Sequence, residues 1–128
     1  MIETNSAFIS KLDDNTAKVI IKSNALLSEE EYNSFEEIYY NLMGSKGPFK
    51  FIIILEHGAR IKKNVTSFFK KDYKTDFKMA EAYLIKDPVI KMFFRVGQKI
   101  LKNRRNYPVK EFNTEQDALS WLKSLEKL

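Results

Sequence analysis

The sequence predicts a single α/β domain over residues 1–128, with a mixed, mostly parallel five-stranded sheet and packed helices. Residues 51–55 are all apolar and include three consecutive isoleucines, which is typical of a central strand that is covered on both faces. Two shorter strand patterns precede this segment, and helical patterns alternate with strand patterns after it. Alternation of this kind favours a parallel sheet. The predicted order is therefore β-β-α-β-α-β-α-β-α.

The first two strands are predicted at 7–12 and 16–22, on either side of Asp13-Asp14-Asn15. Asp and Asn side chains bond to their own backbone in tight turns, so we expect an antiparallel hairpin. The second strand contains Val19-Ile20-Ile21 and is predicted to be the more buried. We expect the first strand to form an edge of the sheet.

A helix should follow from Ser28, because Ser28 and Glu31 have the spacing of a capping box. Its apolar stripe is Tyr32, Phe35, Tyr39 and Leu42. Gly44 supplies a left-handed stop. The helix returns the chain to the 51–55 strand, so this β-α-β unit should cross over with a right hand.

The middle of the chain is harder to interpret. We predict a short helix near 64–74 and a strand at 79–85, although the Met, Ala and Glu residues of the second segment favour a helix. Asp87 and Pro88 then have the residue types of an N-cap and a first helical position. The strand is preferred because a chain that alternates strands and helices needs one before the helix at Pro88.

The helix predicted at 88–101 has two adjacent apolar stripes. The first contains Val89, Met92, Phe93, Val96 and Ile100, and the second contains Ile90, Phe94, Gly97 and Leu101. Lys91, Arg95 and Lys99 occupy the narrow remaining face. We expect the helix to pack in the core, extended into a dimer contact, with only its basic strip exposed. The alternative is a helix that lies on a membrane or meets a partner.

The chain should end with a strand at 108–112 and a helix capped by Thr114. The buried stripe of that helix is predicted to be Ala118, Trp121, Leu122 and Leu125.

Composition excludes several classes of function. The chain has no cysteine, which excludes a disulfide framework, a thiolate metal site and a cysteine nucleophile. No apolar run approaches the roughly 20 residues that span a bilayer, and the first residues do not resemble a signal peptide. We therefore expect a cytoplasmic protein with no transmembrane segment.

Positive charge is concentrated in the middle of the chain. The net charge is +5, but residues 1–58 carry −4 and residues 59–112 carry +10. This bias suits an anionic partner, or simply a lysine-rich solvated surface. Nucleic acid is not favoured, because an RNP-type aromatic motif, a Gly-x-x-Gly loop and a helix-turn-helix signature are all missing.

The second half of the chain carries a family pattern. It consists of 82–85, 87–94, 108–115 and 118–122, and its most specific part reads Pro-Val-x-x-Phe-x-Thr-Glu-x-x-Ala-Leu-x-Trp-Leu. This pattern resembles the SpoIIAA-like domains, relatives of the STAS (sulfate transporter and anti-sigma-factor antagonist) superfamily, and specifically a bacterial branch of them. The resemblance implies a compact α/β domain that acts in protein–protein regulation without catalysis.

The resemblance has one departure. Antagonists of the superfamily carry an Asp-Ser-Ser-Gly-type segment after a central strand, where a serine is phosphorylated. The corresponding segment here reads Glu56-His57-Gly58-Ala59-Arg60 and has no hydroxyl residue. The usual phosphoacceptor motif is therefore missing. Some SpoIIAA-like branches are similar to lipid-binding Sec14-type domains, which keeps a lipid-like ligand open.

Polar candidates for a site lie at the end of the central strand. Glu56, His57 and Arg60 should lie at the edge of the sheet where ligand sites form in parallel α/β folds. No nucleophile accompanies them, and one histidine does not make a typical zinc site. We therefore predict ligand or partner contact at most, no catalytic residue, no metal and no cofactor; a purely structural His57 is the simpler interpretation.

Three further groups of candidates complete the sequence-based picture. Thr66 and Ser67 are candidate phosphoacceptors beside several lysines, or simply helix caps. Phe68, Phe69, Phe93 and Phe94 are candidates for an apolar pocket. Lys91, Arg95 and Lys99 are candidates for partner contact.

We therefore expect a non-enzymatic binding or regulatory module that acts on another protein or on a second copy of itself. The alternative is a carrier of an apolar or lipid-like ligand. A weaker alternative is association with nucleic acid or anionic membrane through residues 60–105.

Overall fold

The computed structural model describes residues 1–61, 76–101 and 105–125. The strands of these residues are β1 (Ile2–Glu3), β2 (Ala7–Asp13), β3 (Thr16–Ile21), β4 (Leu26–Leu27), β5 (Phe49–Leu55), β6 (Arg60–Ile61), β7 (Lys78–Ile85) and β8 (Val109–Glu111). The helices are α1 (Glu29–Met43), α2 (Pro88–Leu101) and α3 (Glu115–Ser124). The helix predicted near 64–74 lies outside the described residues.

The described strands form one mixed sheet of six strands and one small pair. The order in the large sheet is β1-β2-β3-β5-β7-β8. β1, β2 and β3 are antiparallel neighbours, whereas β3, β5, β7 and β8 pair in parallel. β4 and β6 form a separate parallel pair. The α/β class, the hairpin and the parallel part of the sheet are as predicted.

The predicted number of five strands is too low, because β1 adds a sixth. Ile2 and Glu3 pair with Ile9 and Phe8 on the outer side of β2, so β2 is not the edge strand that the sequence indicated. Two residues are too short to give a strand pattern in the sequence. β4 and β6 were missed for the same reason, since each also has only two residues.

β5 is buried on both faces, as its uninterrupted apolar run predicts. On one face Phe51 packs against Tyr39 of α1, with ring centroids 4.7 Å apart. On the other face Ile52 lies in a cluster with Ala118 and Leu122 of α3. The buried Lys50 donates from Nζ to the carbonyl of Leu122 at 3.3 Å, which places a cation near the carboxyl end of α3.

β7 confirms the strand that was predicted at 79–85 against its helix-forming composition. It pairs in parallel with β5 on one side and with β8 on the other, so ladder hydrogen bonds and burial outweigh intrinsic propensity. Ala80 and Ala82 are fully buried. Their small side chains let α3 approach the sheet closely.

A buried ion pair lies within β7. Lys78 Nζ is 3.3 Å from Glu81 Oε2, and the two side chains are only 4% and 5% exposed. Lys78 also donates to the hydroxyl of Tyr32 at 2.8 Å and lies over the rings of Tyr32, Phe77 and Tyr107. Removal of one partner of such a pair is strongly destabilising, because the remaining buried charge loses its counter-ion.

The helix caps read from the sequence are present. Ser28 accepts the backbone N–H of Glu31 at 3.2 Å, and Gly44 ends α1 with a φ of 72°. Thr114 caps α3 by accepting the N–H of Asp117 at 3.1 Å. The Glu31 carboxylate does not complete a capping box; it accepts from the backbone N–H and the hydroxyl of Ser6, both at 2.8 Å, and so ties α1 to the N-terminal segment.

The helices divide between the two faces of the sheet. Phe51 of β5 and Tyr83 of β7 lie on the same face, since Phe51 pairs with Glu81 and Ile53 with Tyr83. α1 packs on that face through Tyr39, and α2 packs on it through Phe94. α3 covers the opposite face. α2 therefore lies over the β7 side of the sheet.

Candidate functional site

The first turn of α2 is fixed by Asp87. Its Oδ1 accepts the backbone N–H groups of Val89 and Ile90 at 2.9 and 3.4 Å, which is the N-cap that the sequence predicts. Its Oδ2 accepts the N–H of Gly58 at 3.0 Å. The bond from Gly58 holds the pKa of the Asp87 carboxyl below its ordinary value, and the N–H groups of Ile90 and Val89 add to the effect.

Of the candidate cluster at the end of β5, only Glu56 has a side-chain ion pair with the segment that leads into α2 among the described residues. Glu56 pairs with Lys86 at 2.8 Å rather than with His57 or Arg60. His57 and Arg60 are both exposed, and the backbone carbonyl of His57 accepts the N–H of Asn24 at 2.9 Å. Glu56 and His57 directly follow the carboxyl end of β5, whereas Arg60 begins β6 and pairs with Leu26 in the separate two-stranded sheet. Within the part of the chain that the structure describes, no ion pair joins the side chains of these three predicted residues.

The inward face of α2 packs on β7 and on the segment that leads to β8. Phe94 stacks against Tyr83 with ring centroids 4.6 Å apart, and Gln98 accepts a hydrogen bond from Arg105. Burial raises the pKa of the Tyr83 hydroxyl above its ordinary value, and the Glu81 carboxylate raises it further. The second predicted apolar stripe thus contributes Phe94 to the contact with the sheet.

Four residues of the first predicted apolar stripe face solvent instead. The exposed fractions are 59% for Val89, 66% for Met92, 69% for Phe93 and 54% for Val96. The prediction that α2 exposes only its basic strip is therefore wrong. The physical reason is that one sheet can cover only one side of a helix, and the second apolar stripe already occupies that side.

The basic strip borders this apolar stripe and is partly neutralised. Glu111, the last residue of β8, lies 3.3 Å from Nζ of Lys91 through Oε2 and 3.1 Å from Nε of Arg95 through Oε1. The Arg95 side chain remains 63% exposed. Lys99 is exposed and has no ion pair among the described residues.

A shallow open groove of about 330 Å³ follows the same side of the helix. It is lined by Pro88, Lys91, Met92, Arg95, Val96 and Lys99. The lining brings cations and apolar side chains together along one surface. We call this surface, made of the exposed apolar stripe and the basic strip, the α2 face.

Only two of the four residues predicted to line an apolar pocket lie in the described part of the chain. Phe68 and Phe69, like the candidate phosphoacceptors Thr66 and Ser67, lie outside the described residues. Of the other two members, Phe93 is largely exposed and Phe94 packs on Tyr83. The two described phenylalanines therefore do not face a shared cavity.

The described residues give no sign of a metal centre or of a membrane span. They contain no cluster of three or more His, Cys, Asp or Glu side chains that is suited to a metal ion. No helix in residues 1–61, 76–101 and 105–125 has the length and apolar character needed to cross a bilayer.

Glu111 is the site residue that sequence reasoning missed. It was assigned only to a short terminal strand, and its pairing with a helix about 16 residues earlier depends on the fold. One signal was available, because Glu111 is one of few acids in the basic segment 59–112.

Comparison with protein-family models, with curated proteins and with solved structures finds no match to this chain. The function must therefore be inferred from the α2 face itself.

Proposed function

We propose that this protein is a non-enzymatic binding module that docks on an anionic membrane surface through the α2 face. The observation that carries the proposal is the exposure of Val89, Met92, Phe93 and Val96 beside a row of cations. Amphipathic helices with this arrangement lie in the plane of the interface, with the apolar side chains inserted and the cations at the headgroups.

The apolar part supplies the energy of docking. The four exposed side chains span two helical turns, or roughly 10 Å along the axis. A cluster of large apolar side chains on one ridge marks an interaction surface, whereas single exposed apolar residues do not.

The charged part supplies the preference for anionic lipid. Lys91, Arg95 and Lys99 border the stripe, and only Glu111 opposes them among their described ion-pair partners, which leaves a net charge of about +2. Long basic side chains can keep their stems against the apolar surface while their charged ends reach headgroup phosphates. A neutral bilayer would not compensate these charges.

A second copy of the chain fits the α2 face less well. Two antiparallel α2 helices related by a twofold axis would bring their apolar stripes together and would also place their basic strips side by side. Like charges across an interface oppose association. The homo-oligomer expected from the sequence is therefore not the preferred occupant.

Contact with another protein is the second candidate function, and the same surface supports it. An apolar centre with a charged border is the usual anatomy of a protein interface. A SpoIIAA-like, STAS-related regulatory module in the cytoplasm, which the sequence pattern of residues 82–122 implies, would use the α2 face in this way. A partner would need an apolar ridge bordered by acids. The apolar-ligand carrier ranks lower, because Phe93 and Phe94 do not line a common cavity.

Vesicle co-sedimentation tests the proposal. The protein should sediment with vesicles of phosphatidylcholine and phosphatidylserine, should not sediment with phosphatidylcholine alone, and should be released by salt. Equal partition with and without phosphatidylserine would refute it. If no vesicle binds, a photo-crosslinking residue at position 93, with the same residue at position 12 as control, tests the protein-partner function.

A further inference from the structure

We infer that Glu111 sets the density of anionic headgroups that a membrane must present before the α2 face docks. This inference rests on the proposed function. It concerns a residue that belongs to the sheet but acts on the charge of the helix surface. Glu111 ends β8, and its carboxylate lies between two cations of α2.

The geometry allows one carboxylate to serve both cations. Lys91 and Arg95 are four residues apart, so they lie one turn apart on the same side of α2. Oε1 of Glu111 accepts from Nε of Arg95 at 3.1 Å, and Oε2 lies 3.3 Å from Nζ of Lys91. Each oxygen therefore faces a different cation, and a single negative charge is shared between them.

The surroundings of Glu111 hold its carboxylate against the two cations of α2. Its side chain is only 17% exposed. Oε2 is shielded from water and has no aligned hydrogen bond within the described part of the chain, so the ammonium of Lys91 is its main compensation. A solvated acid in a flexible loop would leave the two cations free to bind other anions. Glu111 is instead positioned beside them because it is the last residue of β8.

An anionic membrane therefore interacts with the net charge of the three cations and Glu111, not with three independent cations. The separations of 3.1 and 3.3 Å are far below the screening length of about 10 Å at 0.1 M salt. Lys91, Arg95 and Lys99 together act as two charges while Glu111 is present. The α2 face should accordingly discriminate against weakly anionic bilayers and dock on surfaces that are dense in anionic headgroups.

The test compares Glu111→Gln with the wild type on vesicles of rising phosphatidylserine content. Removal of one negative charge should tighten binding at a fixed composition by about fivefold. It should lower the phosphatidylserine content needed for half-maximal binding and steepen the dependence on salt. A residue that only held α2 in place would give weaker binding after the same change, so the direction separates the two roles.

Glu115→Gln is the matched control, because it removes the same charge from the opposite face of the sheet. Glu115 begins α3 and pairs with Lys18. This control should leave the phosphatidylserine requirement unchanged. Lys99→Gln supplies a second measurement that does not disturb Glu111, and it should raise the requirement by a comparable factor.

Each outcome bears on one of the two proposals. Wild-type protein that fails to bind at every phosphatidylserine content refutes the proposed function. If the wild type binds but Glu111→Gln needs the same or a higher phosphatidylserine content, the role of Glu111 is refuted and the proposed function is not. An equal shift in Glu115→Gln would show that total charge matters rather than this residue, and would also refute it. If Glu111→Gln does not fold, an unchanged requirement in Lys99→Gln refutes the charge argument.

Discussion

Replacement of Met92 and Phe93 by Gln tests whether the exposed stripe of α2 supplies the binding energy. Gln keeps a strong preference for the helix but removes the apolar surface. Both residues are about two-thirds exposed, with fractions of 66% and 69%. The double variant should therefore fold normally and bind anionic vesicles more weakly than the wild type.

The size of the loss follows from these exposed fractions. Full burial of a Met or Phe side chain is worth about 1.5–3 kcal/mol, so insertion of the exposed two-thirds contributes about 1–2 kcal/mol for each residue. Together they amount to about 2–4 kcal/mol. Because the headgroup region buries side chains incompletely, we expect the lower end, or a weakening of about 30-fold.

The assay is a co-sedimentation titration with phosphatidylserine vesicles, with urea unfolding as the check on folding. Leu12→Gln is the matched control, since Leu12 is also an exposed apolar residue, at 43%, but lies on β2. The free energy of unfolding of the double variant should stay within about 0.5 kcal/mol of the wild type. Unchanged vesicle binding in the double variant, or an equal loss in Leu12→Gln, would refute the reasoning.

Three further predictions concern the structure that supports the α2 face. Glu81→Leu should lower the free energy of unfolding by about 3–5 kcal/mol because it removes the carboxylate that pairs with the buried Lys78, and the added change Lys78→Met should restore most of the loss in urea unfolding. Wild-type protein should be more stable than Asp87→Asn above about pH 5, where the carboxyl is ionised in the folded and the unfolded chain. Because the N–H groups of Gly58, Ile90 and Val89 stabilise the carboxylate and so lower its pKa in the folded chain, the difference in urea midpoint should shrink as the pH falls through that lowered pKa; a constant difference would contradict this. Gly58→Ala should cost about 1–2 kcal/mol, because φ is 74° and an added Cβ would meet Oδ1 of Asn24; an unchanged thermal midpoint would contradict it.

The contacts of Asp87 and Lys78 differ in how many residues of the chain separate the two partners. Asp87 acts on residues two and three positions later, so its role as a cap can be read from the local sequence. Its second bond, to Gly58, spans 29 residues and appears only when β5 and β7 lie side by side. The same contrast applies to Lys78, whose contact with Tyr32 spans 46 residues.

Local signals in the sequence determined most of the elements. The bounds of α2 agree with the prediction of 88–101, because Asp87-Pro88 starts a helix through backbone geometry and hydrogen bonds within one turn. The apolar run of β5 likewise indicated a strand covered on both faces, since no half-exposed strand would tolerate it. These signals involve only a few neighbouring residues, so they can be recognised in the sequence without knowledge of the fold.

Only the tertiary structure decided which side of α2 is exposed. The helix carries two adjacent apolar stripes, and periodicity alone treats them alike. Contact of Phe94 with Tyr83 and the pairing of Glu111 with Lys91 and Arg95 fix the rotation of the helix on the sheet. That rotation leaves the other stripe in solvent. Burial depends on which surfaces meet in the folded chain. The sequence therefore determined that α2 has two apolar stripes, and packing determined which of them stays exposed and available to a partner.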